Sequence, residues 1–391
     1  MLTVGVLSAI SGSDVSAIVP TSLFTARDAA ITFSVLQTNV CLYSHFRIPT
    51  LLYSRCMRKI ALAAAVFIIL FAAFHFTEAQ TATPYRYFRI GNPADVSRKT
   101  EPGFALIGGG KDLDAAFLWM CKRSGGGDFL VLRATGTDAY NPYIQGLCHA
   151  NSVATLVIPN KAAAEDPFAA ETISKAEAIF ISGGDQANYI NVWRDTPVQR
   201  LLNAAIAKGV PIGGTSAGLA VQGEYIYSAQ NDPPEGPDLT SKLALGNPFY
   251  HQVVIAHGFL DDPALKDTIT DTHFNTRDRM GRLLVFMARI PASGSAHLVK
   301  GMGVDEQTAF LMEPDGKGVV VGRGAVYFLS STEKAPVLAE GMPLTSANFS
   351  VKKVSTGGKF DVSIWRGDSV DYQLRVDGGQ IRSTQQNGSI Y

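Results

Sequence analysis

The sequence predicts an α/β fold built on a mostly parallel sheet, with a small β-rich appendage at its C-terminal end. From Phe104 onward, short apolar runs alternate with segments of helical periodicity, and glycine-rich loops directly follow several of these runs. Such alternation is typical of βαβ units, whose right-handed crossovers place parallel strands side by side. The glycine loops should therefore gather at the carboxyl edge of the sheet, where open α/β sheets bind their ligands.

Each predicted element follows from its local pattern. Short runs of β-branched and aromatic residues predict buried strands, and apolar residues spaced three or four apart predict helices. In chain order these are strand 104–107, helix 112–122, strands 128–133 and 154–158, helix 165–176, strand 178–182, helix 198–208 and strand 210–213. We expect an α/β domain over 80–344, whose last strands are joined by Pro/Asp/Gly turns, and a β-rich segment over 345–391.

The N-terminal region carries the pattern of a secretory signal. Met57 begins a basic Met-Arg-Lys start, residues 60–74 are uncharged and almost wholly apolar, and Ala79 lies among small residues. These features match the n-region, h-region and cleavage site of a signal peptide over 57–79. A membrane anchor is the alternative, but the run is shorter than the roughly 20 apolar residues of a spanning helix. We therefore expect a secreted or periplasmic chain without stable membrane insertion, and a doubtful extension over 1–56.

Composition excludes some classes of function. The 34 basic residues equal the 34 acidic ones, and no basic block argues for nucleic acid. No Cys/His spacing indicates zinc, so neither a metal nor an organic cofactor is expected. In an oxidising compartment Cys121 and Cys148 would form a disulfide, with two buried free thiols as the alternative.

The clearest chemical signal is the pentapeptide Gly-Thr-Ser-Ala-Gly at 214–218. It fits G-x-S-x-G, the nucleophile elbow, in which a strand turns sharply into a helix and exposes the serine oxygen. A helix that ends at Gly209 and a short strand precede it, which is the context that the motif requires. The sequence therefore predicts Ser216 as a nucleophile.

A serine hydroxyl needs a base within hydrogen-bond reach and a third group that orients the base. His273 follows a β-branched strand downstream of the serine and precedes a predicted Arg-rich helix. Beside this candidate base, Arg277, Arg279 and Arg282 form a candidate carboxylate-binding patch. A solvated helix face paired with Asp278 is the alternative.

Several blocks in matching order make the chain resemble the cyanophycinase and dipeptidase E family of serine peptidases, over about residues 104–330. Besides the elbow, these blocks are Ile107-Gly-Gly-Gly-Lys-Asp112, Ala178-Ile-Phe-Ile-Ser-Gly-Gly-Asp-Gln186, Asp195-Thr-Pro197, Asp271-Thr-His-Phe-Asn-Thr-Arg-Asp-Arg-Met-Gly-Arg-Leu283 and Gly303-Val-Asp-Glu306. The resemblance implies a flavodoxin-like three-layer sandwich related to class I glutamine amidotransferases, with serine in place of their cysteine.

The resemblance also implies roles for individual residues. Ser216 would be the nucleophile, and His273 the base. The substrate pocket would be formed by Gln186, Arg277, Arg279 and Arg282, and the oxyanion hole by backbone N–H groups of Gly184 and Ala217. Thr272 stands where cyanophycinases carry glutamine, which weakens the case for cyanophycin as the substrate.

The acidic third member of the triad is less well defined. The resemblance places it between the serine and the histidine, where an insertion around 230–250 obscures its offset. The expected order is Glu235, then Asp232, Glu224 and Asp238.

These observations predict a secreted serine peptidase that hydrolyses peptide or isopeptide bonds, next to an acidic residue, through an acyl-enzyme. The expected partner is a small peptide or polypeptide substrate with acidic groups, and a homodimer is a further expectation. An esterase of the α/β-hydrolase kind shares the order serine, acid, histidine, but no HGGG-type loop supports it. A secreted binding protein of the same fold without turnover is the second alternative.

Overall fold

A computed structural model describes residues 83–391 apart from 234–235, 296–297, 332–337 and 346, together with Ala64. Residues 82–391 form one compact unit. The predicted extension over 1–56 and, except for Ala64, the predicted signal peptide lie outside the described residues. In the described part of the chain, no helix has the length and apolar character needed to cross a membrane.

Two β-sheets and the helices that pack on them make up the fold. The strands are β1 (Arg86–Gly91), β2 (Phe104–Ile107), β3 (Asp128–Arg133), β4 (Ser152–Val157), β5 (Ala178–Ile181), β6 (Ile212–Thr215), β7 (Tyr225–Tyr227), β8 (Ile255–His257), β9 (Thr268–Asp271), β10 (Lys300–Val304), β11 (Thr308–Met312), β12 (Lys317–Gly322), β13 (Ala325–Ser331), β14 (Ala347–Ser355), β15 (Lys359–Asp361), β16 (Arg366–Gly367), β17 (Val370–Asp377) and β18 (Gln380–Ser383). The α-helices are α1 (Asp114–Arg123), α2 (Tyr140–Cys148), α3 (Lys161–Glu165), α4 (Pro167–Ser174), α5 (Gln186–Trp193), α6 (Pro197–Lys208), α7 (Ala217–Ala220), α8 (Ser241–Gly246) and α9 (Met280–Ala292).

The first sheet contains a parallel block with apolar packing on both faces. Its strand order is β1-β4-β3-β5-β6-β2-β11-β12-β15-β16, and the pairs from β4 to β2 are parallel. In β2, Phe104 and Leu106 enter one hydrophobic core while Ala105 and Ile107 enter another, because successive side chains of a strand point to opposite faces. A strand buried on both faces reads as a continuous apolar run, which is how the sequence reveals this block.

The second sheet supplies the other half of the site. Its order is β18-β17-β14-β13-β10-β9-β7-β8, and β9 pairs in parallel with β10. Helix α9 packs against this sheet through a largely buried surface that includes Leu283 and Phe286. Because β9 and β10 run in the same direction, the residues that follow them meet at one edge of the sheet.

The β-rich segment after residue 344 continues both sheets. Strands β14, β17 and β18 form one edge of the second sheet, whereas β15 and β16 extend the first. Val351 and Leu374 are buried in the core beneath α9, and Phe360 stacks on Phe328 at 3.7 Å between ring centroids. These strands are hydrogen-bonded into the sheets and do not stand apart as an appendage.

Two helices differ from the sequence prediction. The expected helix 165–176 is instead α3 and α4, separated by Asp166, which caps α4 and precedes its first residue, a proline. The Arg-rich helix expected directly after His273 begins only at Met280, after a turn. Cys121 and Cys148 form a disulfide between the ends of α1 and α2.

Candidate active site

Ser216 lies on a sharp turn between β6 and α7. Its φ of 53° and ψ of −118° fall in a region that non-glycine residues rarely adopt, as the elbow motif requires. The flanking glycines are required by close packing, since a Cβ at Gly218 would lie 2.0 Å from the carbonyl oxygen of Ile181. A Cβ at Gly214 would lie 2.3 Å from the carbonyl oxygen of Gly218. Both glycines beside Ser216 are therefore required by this turn.

Ser216, His273 and Glu306 form a hydrogen-bonded line. The serine Oγ lies 2.7 Å from the histidine Nε2, and the histidine Nδ1 lies 2.5 Å from a carboxylate oxygen of Glu306. The histidine is buried, with 6% of its surface exposed. A base held between a hydroxyl and a carboxylate is the arrangement of a Ser-His-acid triad.

None of the acids expected from the sequence occupies the third position in the described structure. Glu224 accepts a backbone N–H just before β9, Asp232 accepts a tyrosine hydroxyl and a glutamine amide, and Asp238 pairs with two arginines. Glu235 lies outside the described residues. The search between serine and histidine missed Glu306, which follows the histidine by 33 residues.

A signal for Glu306 was present in the sequence. Glu306 lies two residues after the end of β10, just as His273 lies two residues after the end of β9. Strands β9 and β10 are parallel neighbours, with Gly303 opposite Asp271. The residues that follow the two strands, His273 and Glu306, therefore come together. The block from Gly303 to Glu306 therefore contained a candidate acid, but only the pairing of β9 with β10 brings that acid to the histidine.

The glycine loop after β2 connects all parts of this line. Successive carbonyl groups of Ile107–Gly109 accept the backbone N–H groups of Ser216 at 3.1 Å, His273 at 2.7 Å and Gln307 at 2.8 Å. The loop also lies against the imidazole, because a Cβ at Gly109 would be 2.4 Å from the Cε1 atom of His273. The glycine loop therefore helps to hold the triad in place.

Burial lowers the pKa of His273 below its ordinary value. The hydrogen bond that His273 donates to Glu306 raises this pKa, and the nearby charges of Arg277 and Arg279 lower it further, but desolvation is the largest cause. The imidazole is therefore neutral at pH 7, which is the form that accepts a proton from a serine hydroxyl.

A polar cavity of about 200 Å³ opens beside Ser216. It is lined by residues that the sequence assigns to the oxyanion hole and the substrate pocket, including Gly184, Ala217, Gln186 and Arg277. Gln186 is the first residue of α5 and donates to the carbonyl oxygen of Tyr227 at 3.2 Å. The structure therefore brings these predicted residues together around the serine.

The three arginines of the predicted patch differ in their contacts. Arg282 is 2% exposed and forms a bidentate pair with Asp271, at 2.7 Å from Nε and 2.6 Å from Nη2. Arg279 is also buried and pairs with Asp238, whereas the Arg277 side chain is about half exposed and lies 3.1 Å from the same carboxylate. Arg282 lines the cavity beside Ser216, and its planar group is already paired with Asp271.

Thr272, which replaces the expected glutamine, helps to hold Arg279. Its carbonyl and hydroxyl oxygens accept from Nη1 of that arginine at 3.1 and 3.2 Å. Burial lowers the pKa of Arg279 to about 10, so the arginine remains charged at neutral pH. The patch thus consists of a fixed inner pair of arginines and one outer arginine with an exposed guanidinium.

The elbow, the neutral histidine and its carboxylate partner define a protein of the Ser-His-acid class, with the acid last in chain order. Residues 137–315 match the sequence model of peptidase family S51. This match agrees with the resemblance to the cyanophycinase and dipeptidase E serine peptidases.

Related proteins have similar sequences. Over 218 residues the chain is 28% identical to a cyanophycinase of Trichormus variabilis, covering 54% of this chain and 65% of the relative. It is 31% identical to a cyanophycinase of Synechococcus elongatus, covering 53% and 60%. The matches therefore span somewhat less than two thirds of these relatives. A crystal structure of a peptidase from an acI-B1 Actinobacterium aligns with 15% identity and a TM-score of 0.45, covering 67% of this chain and 98% of that one.

Proposed function

We propose that this protein is a serine peptidase that hydrolyses peptide or isopeptide bonds through an acyl-enzyme on Ser216. The observation that carries the proposal is the hydrogen-bonded line from the Ser216 hydroxyl through His273 to Glu306. Without the histidine the hydroxyl is a weak nucleophile, and without the carboxylate the imidazole is not oriented.

The geometry supports a two-step reaction. Ser216 Oγ attacks the carbonyl carbon of the scissile bond while its proton passes to Nε2 of His273. The imidazolium then gives that proton to the leaving amine as the carbon–nitrogen bond breaks, leaving an ester on the serine. A water molecule, deprotonated by the same nitrogen, attacks the ester and restores the serine hydroxyl.

Two further groups would stabilise the charges that form during these steps. Glu306 accepts a hydrogen bond from the Nδ1–H group of the histidine and stabilises the imidazolium. The backbone N–H groups of Gly184 and Ala217, at the edge of the cavity, would donate to the oxygen of the tetrahedral intermediate. Preorganised donors of this kind are worth roughly 10²–10³-fold in kcat.

We infer that the substrate carries an acidic group next to the scissile bond. Arg277 is the member of the arginine patch with an exposed guanidinium at the cavity, and guanidinium groups bind carboxylates through two parallel hydrogen bonds. The relatives named above are cyanophycinases, which makes a β-aspartyl peptide a suitable first substrate to test.

We also propose a flavodoxin-like layering of the fold, export from the cell and a homodimer. The parallel block β4-β3-β5-β6-β2, with core on both faces, supports a flavodoxin-like layering. The signal pattern before Gln80 supports export, and the disulfide between Cys121 and Cys148 suits an oxidising compartment. A homodimer remains part of the proposal, to be measured by sedimentation.

The decisive experiment combines labelling with turnover. A fluorophosphonate should label the wild-type protein and the Ser363→Ala variant, which loses an exposed serine outside the cavity, but not Ser216→Ala. In a panel of α- and β-aspartyl peptides, cleavage should disappear in Ser216→Ala. Arg277→Ala should weaken binding of acidic peptides more than of neutral ones. Full cleavage by Ser216→Ala would refute the mechanism.

A further inference from the structure

The side chain of Tyr391 lies against the active-site turn from a distant part of the chain. Its ring makes edge contacts with Phe274 and Tyr327, each at 5.8 Å between ring centroids and close to perpendicular. Phe274 is fully buried and directly follows the candidate base His273. The aromatic contact therefore joins the end of the β-rich segment to the turn that carries the site.

The hydroxyl of Tyr391 makes two hydrogen bonds to this turn. It accepts the backbone N–H of Met280 at 2.9 Å and donates to a carboxylate oxygen of Asp278 at 2.9 Å. Met280 is the first residue of α9, where backbone N–H groups have no partner within the helix. Burial raises the pKa of Tyr391, so the hydroxyl keeps its proton at neutral pH and can donate it to the carboxylate.

These contacts add to the other attachments of an exposed turn. Residues 275–278 are exposed, and Asp278 has a φ of 47°, in the left-handed region. Upstream, the backbone N–H of Asn275 donates to Asp305 at 3.0 Å. Downstream, Tyr391 binds the turn through Asp278 and Met280, and the Ser241 hydroxyl donates to the carbonyl oxygen of Asp278. Arg277, with its exposed guanidinium, lies between these two attachments.

We propose that Tyr391 is a positioning residue that fixes the turn 274–280, so that Arg277 presents its guanidinium to the cavity. The effect on substrate rests on the proposed function. Tyr391 lies outside the segment 137–315 that matches the family, so the contact is a property of this chain beyond the matched domain. The β-rich segment thereby takes part in forming the substrate site as well as extending the sheets.

Tyr391→Phe tests this inference, because it removes the hydroxyl and keeps the ring. Tyr143→Phe is the matched control, since the Tyr143 hydroxyl donates to Asp114 at 2.7 Å, away from the turn. For an acidic peptide we expect Tyr391→Phe to raise KM on the order of tenfold, as for one lost hydrogen bond to a charged group. The kcat should stay within about twofold, because the triad is intact.

A double variant separates positioning from general weakening. If Tyr391 acts through Arg277, Tyr391→Phe should raise KM no further when Arg277 is already alanine. An equal rise in KM in both backgrounds would overturn the inference, as would an equal effect of Tyr143→Phe.

Hydrogen exchange provides a readout that does not require turnover. Peptides that cover 274–280 should exchange faster in Tyr391→Phe than in the wild type, and at the wild-type rate in Tyr143→Phe. Unchanged exchange in Tyr391→Phe would overturn the inference whether or not the protein hydrolyses anything. If the wild type neither cleaves peptides nor takes up a fluorophosphonate, the proposed function fails, and the exchange comparison still decides the role of Tyr391.

Discussion

Replacing Gly109 with alanine should displace the base without removing any functional group. The Cβ of an alanine at this position would lie 2.4 Å from Cε1 and 2.5 Å from Nε2 of His273. Contacts this short do not occur in stable structures, so either the imidazole or the glycine loop must move. Nε2 is the atom that contacts Ser216 at 2.7 Å, so the movement acts on the bond that the reaction needs.

The size of the effect follows from these distances. An ordinary carbon contact is about 3.5–4.0 Å, so the ring must move by roughly 1 Å. A misplacement of about 1 Å costs on the order of 10²-fold in rate. The loop has little freedom to absorb the change, because the carbonyl groups of Gly108 and Gly109 already accept from His273 and Gln307. We therefore expect kcat to fall by about two orders of magnitude, with KM nearly unchanged.

Backbone strain must be separated from this displacement. Gly109 has a φ of +96°, so alanine there also destabilises the fold, by about 1–2 kcal/mol. Gly126→Ala is the matched control, because Gly126 has a φ of +75° and no atom within 4 Å of an added Cβ. Gly126→Ala should show a similar loss of stability with normal kcat.

The assay is steady-state hydrolysis of the best peptide from the panel, with thermal unfolding measured on the same samples. The rate of fluorophosphonate labelling provides an independent measure of how well His273 activates Ser216. If Gly109→Ala kept wild-type kcat and labelling rate while losing stability as Gly126→Ala does, the glycine loop would have no role in placing the base.

Three further predictions concern the acid, the disulfide and a buried carboxyl group. Glu306→Gln should lower kcat by roughly 10²–10⁴-fold. It should also move the acid limb of the pH–rate profile to lower pH, because Glu306 raises the pKa of His273. An unshifted limb with normal kcat would show that another residue is the acid. Cys121 and Cys148, 27 residues apart, should give no free thiol in denatured, unreduced protein. Reduction should lower the free energy of unfolding by about 3 kcal/mol. Titration of two thiols would contradict the disulfide. Asp262 is 6% exposed, and burial raises its pKa from 3.8 to about 7. Between these two pH values the folded protein holds a proton that the unfolded chain loses. The free energy of unfolding therefore falls as pH rises from 4 through 7. Asp262→Asn should therefore raise the free energy of unfolding at pH 8 by at most about 4 kcal/mol and leave it unchanged at pH 3, as followed by denaturant titration; equal stability of the two proteins at pH 8 would show that this carboxyl is not held protonated.

The sequence was most informative where local geometry sets the structure. The elbow around Ser216 could be read from five residues, because a strand-to-helix turn with a strained serine requires small neighbours on both sides. The parallel block could be predicted for a similar reason, since strands buried on both faces need continuous apolar runs. Strand β2 has the same bounds in the structure as in the prediction, and β3 does also.

The partners of the serine depended on which strands are neighbours. His273 was identifiable because a strand pattern ends just before it. Glu306 was not, because its position depends on the parallel pairing of β9 with β10, and pairing between strands of the second sheet leaves no local mark in the sequence. The role of the Gly108–Gly110 loop was hidden for the same reason: what it touches is far from it along the chain.

The arginines show the same division between local pattern and tertiary contact. Their spacing identified a cationic cluster, but only the packed structure distinguishes Arg282, bound to Asp271, from Arg277, whose guanidinium is exposed. Burial and pairing of a charge are set by whatever the rest of the chain places around it. The sequence by itself therefore determined the strands of the parallel block, the elbow and the candidate base. The tertiary structure decided the acid, the exposed arginine and the contact of Tyr391, because each depends on residues brought together only by folding.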